Sequence, residues 1–167
     1  MESTETPQPL VRESPAAPAV TLQQWRRIPP ERRAELFDGR LYYQGMPGRK
    51  HGRIQGRIYH VLTPFDAEEE EEEGQAARDR PGGWWFSLET DISLLGHGFR
   101  PDVVGWRTDH YPEPPVVQRE GLCKGLITGP PDWTCEVLSK GSKRVDLGRK
   151  REVYHQAGVG HYWVVDP

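Results

Sequence analysis

PDWTCEVLSKGSKRVDLGRKREVYHQAGVGHYWVVDP, residues 131–167, is the stretch that decides the fold. Residues 131–139 (PDWTCEVLS) form a short apolar run that reads as a strand. Residues 140–158 follow as a loop and then a helix, which Gly158 closes. Residues 161–167 (HYWVVDP) read as a last strand. Upstream, residues 100–106 (RPDVVGW) give another short strand, and residues 84–95 (WWFSLETDISLL) read as two strands or one long bent strand. Between them and the C-terminal stretch, residues 107–118 (RTDHYPEPPVVQ) carry three prolines and read as a loop.

The N-terminal half adds a hairpin and two helices. Thr21 is placed to cap a short helix over residues 21–28 (TLQQWRRI), which Pro29 and Pro30 end. In ELFDGRLYY (residues 35–43), Asp38-Gly39 sits between two apolar runs, a strong hairpin signal, with Glu35 at the entry of the first strand. From about Lys50 the period changes. Ile54, Ile58, Val61, Leu62 and Phe65 share one face of a helix, and His51 sits at the inner edge of that face near the helix start. The order is helix, hairpin, helix, a run of strands, helix, strand. It predicts an α/β (α+β) fold with a mixed sheet and helices packed on it.

Composition agrees with one domain that does not use the whole chain. The 167 residues suit a single core, but only 35% are hydrophobic. Residues 1–20, rich in Pro, Ser, Thr and Glu, are expected to be a disordered tail, leaving residues 21–167 as the domain. Residues 66–73 (DAEEEEEE) hold seven acids and no base, so removing them moves the net charge from −3 to +4. The remaining body is mildly basic, which is compatible with a nucleic-acid partner. Cys123 and Cys135 form no CxxC pair, which argues against structural zinc and fits reduced thiols in the cytoplasm. No run approaches the roughly 18 apolar residues of a membrane span, and no secretory signal is evident.

The chemistry is carried by a few residues inside these elements. Alternate residues of a strand share a face, so Asp102 lies with Val104 and Trp106, and Glu136 with Thr134 and Leu138. Acids among apolar neighbours need compensation when buried, and a divalent cation is one candidate. Asp146, Lys150 and Tyr154 fall at i, i+4 and i+8 of the following helix, on one face, from which Lys150 reaches back toward the acids. Each residue also has a structural reading. Asp102 can be a strand-end residue, Asp146 a helix cap, Tyr154 a core side chain, Lys150 a surface lysine and His51 a satisfied histidine.

Taken together, ELFDGRLYY, KHGRIQGRIYHVL, RPDVVGW and residues 131–167 resemble the Uma-two family of restriction endonucleases, a branch of the PD-(D/E)XK superfamily. The resemblance implies a restriction-endonuclease-like core with a mixed central sheet flanked by helices, bound Mg²⁺ (or Mn²⁺), and hydrolysis of phosphodiester bonds in DNA. By position it makes Asp102, Glu136 and Lys150 catalytic. It makes Asp102, Glu136 and Glu35 metal ligands, and it matches His51 to a histidine at the start of the second helix; the Val137 carbonyl is a further expected ligand. One departure stands out. The superfamily pattern has a lysine two residues after the glutamate, where this chain has Leu138, so Lys150 is the expected supplier. The basic stretch Lys140, Lys143, Arg144, Arg149, Lys150 and Arg151 is a candidate for holding the phosphate backbone, or else a solvated face. The family's further strands imply that the last strand here is exposed or paired with another subunit, and a homodimer would suit cutting two strands. Two competing functions remain open: a nuclease fold that binds without cutting, and a phosphodiesterase acting on small nucleotides.

Overall fold

The computed structural model describes residues 18–67, 83–118, 125–139 and 146–167. The tail expected at 1–20 and the acidic block at 66–73 fall almost wholly outside the described residues, as do Cys123 and the loop lysines and arginine at 140, 143 and 144.

The first helix, α1 (Leu22–Arg26), starts where Thr21 places it. The Thr21 hydroxyl accepts from the Gln24 backbone N–H at 3.2 Å, and the Gln24 side chain accepts from the Thr21 N–H at 2.8 Å. This reciprocal pair satisfies two of the donors a helix start leaves open. The helix buries Trp25 completely, and the indole donates to the Ala34 carbonyl at 2.6 Å. The hairpin of β1 (Ala34–Phe37) and β2 (Arg40–Tyr43) turns at Asp38 and Gly39, both at positive φ (46° and 70°), the backbone of a type I′ turn.

Where one mixed sheet was expected, the strands divide into two. After α2 (Arg49–Leu62), the stretch WWFSLETDISLL breaks at Glu89, which adopts φ 45°. It supplies β3 (Trp84–Leu88) to one sheet and β4 (Ile92–Leu94) to the other. A second hairpin, turning at Leu95 (φ 52°) and Gly96 (φ 80°), leads into β5 (His97–Phe99), a strand the sequence reading did not separate. Next come β6 (Val103–Arg107), β7 (Ile127–Thr128) and β8 (Trp133–Val137). The chain then runs through a π-helical turn (Asp146–Lys150) into α3 (Arg151–Gln156), ends it at Gly158 (φ 87°), and finishes in β9 (His161–Val165). One sheet has the order β2-β1-β5-β4-β7 and the other β3-β6-β8-β9. Each mixes antiparallel pairs with one parallel pair, β4 with β7 and β8 with β9. The main core, with Phe37, Ile92, Phe99, Trp106 and Tyr154, draws on both sheets and α3.

The second helix departs from its expected apolar face. Ile58 and Leu62, with Tyr59, pack against Phe86, Val103, Trp133 and Cys135. Val61 is 67% exposed and Phe65 39% exposed. The α-helix ends at Leu62, and the tighter turn Thr63–Phe65, with Pro64 in it, swings Phe65 off the stripe. The one residue α2 buries is polar: Gln55, whose amide donates to the Asp102 carbonyl at 2.9 Å.

Candidate active site

Residues from six elements or their ends meet where the two sheets approach. Glu35 is the second residue of β1, and Glu136 the fourth of β8. Lys150 ends the π turn and Tyr154 lies in α3. Asp102 lies just before β6, and His51 in the first turn of α2. The wider π turn still sets Asp146 and Lys150 side by side, and π-helical segments often mark functional positions.

Lys150 is the hub. Its side chain is fully buried, with Nζ 2.9 Å from Glu136 Oε1, 2.9 Å from Glu35 Oε1 and 3.1 Å from Asp146 Oδ1. Of the three contacts, the one to Glu136 has hydrogen-bonding geometry and the other two are ion pairs, which leaves Asp146 Oδ1 buried with no hydrogen bond. Glu35 Oε1 also accepts from the Arg100 backbone N–H at 3.0 Å, and Glu136 Oε1 from the Tyr154 hydroxyl at 3.2 Å. Beside this group, Asp102 accepts from the Val137 N–H at 2.7 Å through Oδ2 and meets His51 Nε2 at 3.0 Å through Oδ1. His51 Nδ1 is buried without a partner.

The electrostatics follow from crowding carboxylates around one ammonium. Burial alone would lower the Lys150 pKa, but Glu136, then Glu35, outweigh it and hold the ammonium well above its usual range. For Glu136 burial wins. It pushes the carboxyl well above 4.5 against the pull of Lys150, and Glu35, Asp146 and Asp102 push the same way. Asp102 is also raised, by burial, against the opposing Val137 N–H and His51. Burial raises Tyr154 too, so its hydroxyl stays a donor. Burial pushes the Cys135 thiol up to about 12, which leaves it an inert neighbour.

The site opens on a pocket of about 370 Å³ whose lining includes Glu35, His51, Asp102, Glu136, Asp146 and Ser139. The structure thus brings together Glu35, His51, Asp102, Glu136, Asp146, Lys150 and Tyr154. It does not bring Arg149 there: its exposed guanidinium pairs with Asp38 and, at 2.9 Å, with Glu152. Arg151 is exposed and outside the pocket lining, and Lys140, Lys143 and Arg144 are not among the described residues.

Several contributors were missed in the sequence. Arg33, at φ 46°, lines the pocket and donates to Glu89 at 2.6 Å. Burial disfavours the Glu89 carboxylate, yet Arg33 outweighs it and holds Glu89 below its ordinary value. Arg100 forms a buried two-pronged pair with Asp91 at 3.0 and 2.6 Å, which steadies the backbone N–H aimed at Glu35. Tyr42 and Met46 form part of the pocket wall. Among these only Arg100, an arginine at the start of the expected strand RPDVVGW, gave a signal in the sequence, and it does not identify its partner.

The profile of the Uma2 family, described as "Putative restriction endonuclease", matches residues 19–167. No curated protein matches the chain. Among solved structures, "a putative nuclease belonging to DUF820 from Anabaena variabilis ATCC 29413" shares the fold with a TM-score of 0.65 and 20% identity. The alignment covers 89% of this chain and 74% of that one.

Proposed function

The chain belongs to the Uma2 family, and from that premise we propose that it is a metal-dependent endonuclease that hydrolyses phosphodiester bonds in DNA. One observation carries the reading. Glu35, Asp102, Glu136 and Asp146 line a single pocket, and one buried ammonium, Lys150, answers three of them. Buried carboxylates in excess of their cations are unfavourable unless protonated or matched by another cation.

The donor set fits a hard divalent ion. All the donors are carboxylate oxygens, and Mg²⁺ prefers one or two of these with water and phosphate completing its shell. Among the described residues no group of three or more acid, histidine or cysteine side chains is placed to hold a metal ion by itself. A site that leaves most positions to water and substrate needs none. Glu35, Asp102 and Glu136 are the side chains that would hold Mg²⁺ or Mn²⁺. When bound, the ion supplies Lewis-acid activation of water and stabilises charge at phosphorus.

The protein's own residues do the rest. Lys150, kept as an ammonium, is a charge stabiliser and donor, not a base. Its hydrogen bond to Glu136 and its ion pair with Glu35 orient both carboxylates, and the Tyr154 hydroxyl fixes Glu136 further. His51 and the Val137 N–H hold Asp102 in place. The test is magnesium-dependent cleavage of plasmid and single-stranded DNA. Cleavage that disappears in Asp102→Ala supports the site, and equal rates in the two proteins reject it as the catalyst.

A second reading has one observation in its favour: Glu35 and Glu136 are both turned onto Lys150. On that reading the chain is a nuclease-fold module that binds nucleic acid or a protein and cuts nothing. Calorimetry with Mg²⁺ or Mn²⁺ separates the two. Binding lost in Asp102→Ala favours the enzyme, and no carboxylate-dependent binding by the intact protein favours the inert module.

A further inference from the structure

One arginine shares the pocket with the four carboxylates. Among the described residues that line it, Glu35, Asp102, Glu136 and Asp146 are the acids, Arg33 is the only arginine, and there is no lysine. Ionised carboxylates on a pocket wall repel the phosphate of a nucleic acid, so a cation on the same wall weighs heavily in whether a phosphate stays. The Arg33 side chain is 12% exposed, and its Nη1 donates to Glu89 Oε2 at 2.6 Å. Glu89 does not line the pocket. The pair thus presents its cation to the cavity and keeps its acid out of it.

Both members of this pair sit on unfavourable backbone. Arg33 closes the turn Pro30–Arg32 in the left-handed conformation, φ 46° and ψ 44°, and Glu89 is held at φ 45°. Glycine or asparagine would adopt either conformation with less strain. The pair is also tied to one of the acids. The Glu89 N–H donates to the Asp102 carbonyl at 3.3 Å, beside the Gln55 amide at 2.9 Å. The guanidinium is therefore fixed relative to Asp102, yet its donors are not used up. Nη1 serves Glu89, Nη2 makes only a long contact of 3.4 Å to Gln44 Oε1, and Nε is buried without a partner. Gln44 lines the pocket as well, so the loosely held Nη2 stands beside the cavity.

An ion pair that only braces the chain would account for the Glu89 contact, but not for a cation placed on the pocket wall with donors to spare. We propose that Arg33 takes hold of a phosphodiester of the nucleic acid in this pocket, through the guanidinium donors that Glu89 leaves free. Glu89 anchors the arginine, and the planar fork matches a pair of phosphate oxygens. This deepens the endonuclease reading and rests on it for the identity of the anion. Phosphate contacts carry no sequence information, so Arg33 positions the strand and does not read it.

Fluorescence anisotropy of labelled DNA, single-stranded and duplex, in EDTA and again with Ca²⁺, tests this with two variants that break the same pair. Arg33→Asn removes the cation and Glu89→Asn removes its partner, and asparagine tolerates the left-handed backbone at both positions. Arg33→Asn should bind about tenfold more weakly. It should also flatten the slope of log K against log salt by about 0.7 on a single strand or about 0.9 on a duplex, the share of one phosphate. Arg33→Lys, which keeps the charge without the fork, should keep the slope and lose part of the affinity. Glu89→Asn should keep the wild-type slope and affinity. If the two asparagine variants instead lose affinity alike at an unchanged slope, the pair is only a brace and the assignment is overturned. A scan of single uncharged methylphosphonate linkages should find one that costs wild type affinity and costs Arg33→Asn nothing; finding none overturns the assignment too. So does a thymidine mononucleotide that displaces DNA from wild type at equal concentration but not from Arg33→Asn, which would give Arg33 to a free nucleotide. Circular dichroism of each variant shows that it is folded. Cleavage, measured separately, distinguishes the two readings. A wild type that binds in this pattern but does not cut sinks the endonuclease and leaves the Arg33 contact. One that cuts while Arg33→Asn binds with an unchanged slope does the reverse.

Discussion

Lys150 Nζ stands 2.9 Å from Glu136 Oε1 and 2.9 Å from Glu35 Oε1, so one ammonium ties a strand of each sheet to the π turn before α3. Removing it leaves Glu35, Glu136 and Asp146 buried without their shared cation. Lys150→Met is therefore expected to lose about 3–5 kcal/mol of stability at neutral pH. Urea unfolding measures it. Adding Glu136→Gln to Lys150→Met should recover part of the loss, because contacting residues do not add independently. A midpoint that does not move in Lys150→Met would mean that the ammonium carries no structural charge.

Much of this site could be read from residue spacing, because it follows local rules. Strand alternation puts Glu136 with Thr134 and Leu138, all buried together, and helical spacing puts Lys150 and Tyr154 on one side, where both reach Glu136. What escaped depends on partners distant in sequence or on turns made by unlikely residues. The two-sheet division turns on Glu89 at φ 45°, and the β4–β5 hairpin on Leu95 at φ 52°, where neither residue type signals a left-handed turn. Gln55 is buried because it meets a backbone carbonyl 47 residues away, and Arg149 leaves the site for Asp38, 111 residues away.

The raised Glu136 carboxyl has a consequence for pH. Folded Glu136 keeps a proton that the unfolded chain releases near the ordinary value of 4.5. Its contribution to stability is thus complete below 4.5 and is lost as pH rises through the folded value. Asp102 is raised from 3.8 and works in the same direction. In EDTA, unfolding free energy should therefore fall from mildly acidic toward neutral pH, and Glu136→Gln should flatten that fall. Added Mg²⁺ should restore stability mostly at the higher pH, where the carboxylates are ionised. A wild-type profile in EDTA that rises with pH over this interval contradicts the assignment.

The His51–Asp102 contact at 3.0 Å makes His51 a positioning residue for an acid whose other oxygen is already held by the Val137 N–H. Freed from His51, Asp102 can rotate about that single remaining bond. His51→Ala is expected to weaken metal affinity or cleavage about 10- to 100-fold, the usual cost of losing a partner that orients a ligand. His51→Gln, which can still donate to Asp102, should recover part of it. The informative readout is the Mg²⁺ concentration at half-maximal rate. A positioning role shifts it upward, whereas a loss of maximal rate at unchanged Mg²⁺ dependence would place His51 in contact with the reacting groups instead.

Gly52 and Gly56 give a stability prediction free of any assumption about chemistry. Both lie inside α2, and a Cβ at either would meet nothing within 4 Å. Glycine in a helix interior costs about 1 kcal/mol relative to alanine, through the freedom it loses on folding. Gly52→Ala and Gly56→Ala should therefore each raise the urea midpoint, by an amount equivalent to about 0.5–1 kcal/mol, with additive effects. A urea midpoint that stays unmoved in both single variants contradicts the argument.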